Sequence, residues 1–139
     1  MLSGGLRSMT VSETAHNRVE LRLPAEFGSL PVVRGVAATV AMGADLTVDA
    51  IADLRLAVDE VCSQVIALAR PGAQLTCAFH STAAGIRVSA AAPSKDGRLP
   101  SADSFGWHVL RTLTDEARAW LGDGEDHPLH VEILKRNAS

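Results

Sequence analysis

The side chains of this chain best placed by type and spacing to do chemistry are Glu60 and Gln64, a carboxylate and a carboxamide four residues apart. On an α-helix that spacing puts them one turn apart on the same face, so that both can address one bound object. Counted at about 100° per residue, Asp53 and Ala57 join them on a single flank. The alternative for Glu60 is a structural carboxylate whose oxygens are satisfied by hydrogen bonds. His108, beside Trp107, is a candidate base by residue type alone. No Ser, Cys or carboxylate stands at a fixed offset to complete a constellation with it, and a helix-surface or core histidine is the simpler reading. Phe105 and Trp107 read as packing or partner-facing residues rather than a cofactor box. Cys62 and Cys77 have neither metal-site nor disulfide-framework spacing, and reduced thiols are expected.

The element that must position Glu60 and Gln64 is the stretch Thr47 to Arg70. Its apolar residues Ile51, Leu54, Val58, Val61, Val65 and Leu68 recur in steps of three and four, the period of one buried helix face. Thr47 is the expected N-cap, and Pro71 and Gly72 end the helix. Upstream, Arg18 to Leu23 alternates with Val19, Leu21 and Leu23 on one side, a half-buried strand. A first helix follows from Leu30 to Met42, with Ser29 as N-cap, Pro31 in the first turn and Gly43 as C-cap. Val33, Val36 and Val40 face the core there, and Arg34 looks outward or sideways.

Downstream, Gln74 to His80 and Gly85 to Ala91 read as an antiparallel hairpin, with Leu75, Cys77 and Phe79 paired against Ile86, Val88 and Ala90. Pro93 to Ser104 has no hydrophobic period and is a loop or lid. A short helix with Phe105, Val109, Leu110 and Leu113 as its apolar face leads to strands at Ala117 to Leu121 and Leu129 to Ile133. The order β-α-α-β-β-loop-α-β-β predicts an α/β two-layer sandwich, a mixed but mainly antiparallel sheet with helices on one face.

The 139 residues suffice for a single domain, assigned here to 17–136 behind a flexible tail over 1–16, with Met9 as an alternative start. With 4% aromatic residues and no Tyr, the core must be made of Val, Leu, Ile and Ala. A net charge of −3 argues against a nucleic-acid binder that works by neutralising phosphates. No apolar run reaches membrane-spanning length, and the first residues lack the apolar core of a signal peptide, so a cytoplasmic protein is expected.

Two segments carry a family resemblance. DLRLAVDEVCSQVI, residues 53 to 66, resembles the N-box helix of the GHKL ATPases, the superfamily of histidine-kinase catalytic domains; SFGWHVLRTLTDEARAW, residues 104 to 120, resembles their second glycine box. The chain looks most like the small anti-sigma factors of that superfamily, particularly the anti-sigma-F factors of mycobacteria and related actinobacteria. The resemblance implies the Bergerat-type sandwich and places Glu60 at the position of the base that activates the attacking hydroxyl. It places Gln64 where an Asn holds the phosphate-bound magnesium, and Ser104 and Gly106 at the paired phosphate glycines. Arg34 matches an arginine that contacts both protein partners.

This sequence departs from the family at several of these positions. Gln64 carries one methylene too many for the Asn role, Ser104 replaces a glycine, and the region after Val88, SAAAPSKDG, lacks an acidic residue to read adenine, Asp96 and Gly97 coming several residues later. ATP and magnesium are therefore expected to bind weakly or not at all. The function implied is an anti-sigma factor that sequesters an alternative sigma factor and is released by a STAS-domain anti-anti-sigma protein. A homodimer without direct nucleic-acid contact is expected. The alternative is an active Mg-ATP-dependent protein-serine kinase that phosphorylates the STAS partner.

Overall fold

The computed structural model describes residues 9–14 and 18–137. Six strands form one sheet: β1 (Thr10–Thr14), β2 (Arg18–Pro24), β3 (Gln74–Ser81), β4 (Gly85–Pro93), β5 (Glu116–Leu121) and β6 (Pro128–Arg136). Their spatial order is β1-β2-β3-β4-β6-β5, and every pairing is antiparallel. Three helices, α1 (Leu30–Met42), α2 (Val48–Leu68) and α3 (Phe105–Leu113), complete the two-layer α/β sandwich. The expected hairpin register holds, with Cys77 opposite Ala90 and Phe79 opposite Val88. One strand was not expected: Thr10–Thr14, inside the stretch read as tail, pairs with β2. The rest of that tail, residues 1–8, 15 and 16, lies outside the described residues.

The period-2 strands and the three-four helix stripe meet as the sequence requires. Leu54, Val58, Val61 and Val65 of α2 are fully buried against Leu75, Phe79, Val88, Val131 and their neighbours. Ile51 and Leu68, at the two ends of the stripe, are partly buried. On α1, Val33 is buried as expected while Val36 and Val40 pack at the margin; Ala37 and Ala41 take the central places, because small side chains let α1 lie close to α2. Thr47 caps α2, its side chain accepting the Ala50 N–H at 3.1 Å. Ser29 does not cap α1 through its hydroxyl. That hydroxyl donates to the Pro24 carbonyl at 2.7 Å, because a single 3-10 turn at Phe27–Ser29 already leads the chain into the helix.

Candidate cleft between the second and third helices

Glu60 and Gln64 face α3 from the flank of α2. Gln64 Nε2 donates to Glu60 Oε2 at 3.0 Å. The reverse amide orientation would set two acceptors against each other, so the chemistry fixes this one. It leaves Gln64 Oε1 buried and without a hydrogen-bond partner. An orphaned acceptor of this kind costs about 1–3 kcal/mol. Directly above the pair lies Gly106, in the first turn of α3; a β-carbon there would collide with Glu60 Oε2 and lie 2.9 Å from Gln64 Nε2. Ser104 is the N-cap of α3, its hydroxyl accepting the Trp107 N–H at 3.1 Å.

The far end of α3 is tied down as well. Lys135 Nζ donates to the Leu113 carbonyl at 2.9 Å and to Asp53 Oδ2 at 3.3 Å, linking α3, α2 and β6. Asp53 thus shares the α2 flank with Glu60, yet it serves this tie. Between α2 and the 93–104 loop remains a cleft of about 260 Å³, lined by Glu60, Gln64, Leu68, Pro100, Ser104 and Gly106 among others. The family resemblance places Glu60, Gln64, Ser104 and Gly106 at one site, and all four line this cleft.

The region expected to face an adenine is built differently. Ser89 to Pro93 continue β4 in register with β6, which carries that strand two residues past its expected end at Ala91. The backbone beyond it is bonded to the end of α2: Arg70 N–H donates to the Pro93 carbonyl and Lys95 N–H to the Leu68 carbonyl. Asp96 is exposed on the turn closed by the Gly97 N–H to Ser94 Oγ, and does not fold back toward the cleft. Gly97 adopts φ +64° in that turn, a value that favours glycine.

Arg34 belongs to a second site. Its Nε donates to Asp59 Oδ1 at 2.6 Å across the groove between α1 and α2, and Asp59 holds the guanidinium pKa above its ordinary value through that hydrogen bond and its charge. The groove has a volume of about 520 Å³ and is lined by Arg34, Ala37, Ala52, Arg55, Leu56 and Asp59. Asp59 was missed by the sequence reading. An acidic residue on the α1-facing side of α2, about 100° around from Glu60, was the available signal. His108 is exposed on α3, as a helix-surface residue. Phe105 is 82% exposed and so leaves the expected apolar face of α3, whereas Trp107 and Leu113 pack at the core margin and Leu110 is fully buried. The reason is its place immediately after the N-cap, at the solvent side of the first turn. Among the described residues there is no group of three or more His, Cys, Asp or Glu arranged to hold a metal.

A long helix carrying a carboxylate and an amide beneath a glycine-bearing short helix, laid on an antiparallel sheet, defines the class. A family model for the histidine kinase-like ATPase domain matches residues 23–126, and the chain belongs to that family. Within it, the chain is 36% identical over 102 residues to the anti-sigma-F factor RsbW of Mycobacterium tuberculosis, in two strains of that organism. The match covers 73% of this chain and 61% of the relative's length. Among the described residues no helix is long and apolar enough to cross a membrane.

Proposed function

We propose that this chain is an anti-sigma factor: it binds an alternative RNA polymerase sigma factor of the stress-response, sigma-F or sigma-B type and keeps it from polymerase in the cytoplasm. The observation that carries this reading is the 36% identity to anti-sigma-F factor RsbW across 73% of the chain. Release comes from a STAS-domain anti-anti-sigma protein that competes for an overlapping surface. Arg34 is the contact residue, its side chain 55% exposed at the mouth of the α1–α2 groove. A guanidinium suits two alternative partners because its planar set of donors can bond a carboxylate in one complex and backbone carbonyls in the other. Self-association is part of the same reading. It is supported by an apolar groove of about 400 Å³ where Val19 of β2 meets Val32, Val36 and Val40 of α1.

Nucleotide chemistry is reduced or lost in this account. The oxygen that would hold a magnesium ion, Gln64 Oε1, is sealed from contact with anything the size of water. The remaining cleft, about 260 Å³, lies below the roughly 300–1,000 Å³ of small-molecule sites. No acidic side chain stands between Ser89 and Lys95 to read a base. These residues do not fit a bound Mg-nucleotide. The kinase reading keeps one observation in its favour, the Glu60 carboxylate at the edge of the cleft.

Run-off transcription with the host polymerase tests the proposal. Added chain should suppress transcripts that depend on one alternative sigma factor and spare those of the primary sigma factor, with or without ATP analogues. Full transcription by every sigma factor in the presence of excess chain would contradict it.

A further inference from the structure

We propose that the Glu60–Gln64 pair is a latch that seats α3 on α2, and that the chain's own atoms thereby close the corner in which a metal-bound phosphate would sit. This deepens the reading of a degenerate pocket and rests on it; sigma binding plays no part. Three independent observations converge. The longer Gln64 side chain brings its amide N–H to the Glu60 carboxylate at 3.0 Å, so that donor is held by the carboxylate rather than turned toward a ligand. Gly106 lies so close above them that a β-carbon there would have to push aside the ends of both side chains, which gives the glycine a packing role. The opposite end of α3 is held by Lys135 through the Leu113 carbonyl.

The seat also accounts for the orphaned Gln64 Oε1. The Nε2–Glu60 hydrogen bond fixes the direction of the amide and leaves its oxygen in a buried position without a protein partner. Glu60 and Gln64 are accordingly positioning residues for α3. Asp59, next in sequence to Glu60, ties α2 to α1 through Arg34, so adjacent carboxylates of one helix meet its two neighbours.

The test is a double-mutant cycle on the full chain, read by thermal unfolding. Gly106→Ala should lower the Tm in the wild-type background, because the new methyl displaces the Glu60 carboxylate and breaks its bond to Gln64. In a Glu60→Ala background the same substitution should cost less, since the carboxylate is gone and only the end of the flexible Gln64 side chain has to shift. Glu60→Gln, which keeps the shape and can still pair with Gln64, should retain most of the wild-type Tm. Equal losses from Gly106→Ala in both backgrounds would overturn the latch. A second arm titrates the wild type with Mg-ADP: the latch predicts no saturable rise in Tm at millimolar nucleotide, and a saturable rise would show that the corner opens and overturn it as well. If Gly106→Ala fails to fold, the Glu60→Ala and Glu60→Gln comparison together with the Mg-ADP arm still decides. Failure to bind any sigma factor would leave every one of these outcomes unchanged.

Discussion

Arg34 Nε donates to Asp59 Oδ1 at 2.6 Å, and this one bond spans the groove between α1 and α2 where a partner would approach. Because the pair is solvent-exposed, water competes for both groups, and the pair contributes little to folding. Arg34→Ala should therefore leave the Tm unchanged while weakening partner binding about tenfold or more, as expected for an interfacial arginine. Asp59→Ala, which releases the guanidinium, should alter partner affinity with a similarly small effect on Tm. Calorimetric titration alongside thermal melts separates the two effects; an unchanged affinity for Arg34→Ala would remove it from the interface.

Acid sensitivity should arise on the open face of the sheet. His130 of β6 stacks on Trp120 of β5 with ring centroids 5.0 Å apart, and Arg118 lies over the Trp120 ring at 4.7 Å. Burial lowers the His130 pKa below its ordinary 6.5, and nearby Glu132 only partly offsets this. The unfolded chain thus takes up this proton at a higher pH than the folded one. Stability rises with pH through that window and falls as pH drops below about 6.5. His130→Gln should flatten the pH dependence of Tm between pH 7.5 and pH 5. A Tm profile identical to wild type would show that the stacked imidazole is not its source.

The two thiols should be silent in the native protein. Cys62 and Cys77 are fully buried with their sulfurs 3.8 Å apart, and the Cys77 pKa is raised well above its ordinary value by the hydrogen bond to Cys62 and by burial. A protonated, inaccessible thiol does not react, because the thiolate is the nucleophile. Aromatic disulfide reagents at pH 8 should titrate neither cysteine in buffer and both in denaturant. Rapid labelling of the folded chain would contradict the burial of this pair.

Most of the fold was legible because its elements carry their own local signals. The α2 stripe, the Thr47 cap and the β3–β4 register all follow from periods of 3.6 and 2 and from capping chemistry, and each is found where the spacing puts it. Thr10–Thr14 was not legible. Its short polar run in a Gly- and Ser-bearing stretch gives no alternation, and its strand character comes from pairing with β2. Phe105 was misplaced for a related reason: the helical period puts it in line with Val109, yet the first turn of α3 holds it in solvent.

The cleft was half legible. The spacing of Glu60 and Gln64 showed that they share a face, and the resemblance brought Ser104 and Gly106 to them. That the carboxylate and amide bond to each other is a contact their four-residue spacing allows but does not require, whereas the ties from Lys135 to Asp53 and to the Leu113 carbonyl are long-range contacts that no local pattern encodes.

The measurement that tests the central claim most directly is affinity capture with the full chain from lysate of its host, in paired samples with and without Mg-ATP, read by mass spectrometry. The account predicts recovery of an alternative sigma factor to the same extent in both samples, and loss of that recovery with Arg34→Ala. Recovery of no sigma factor in either sample would contradict it.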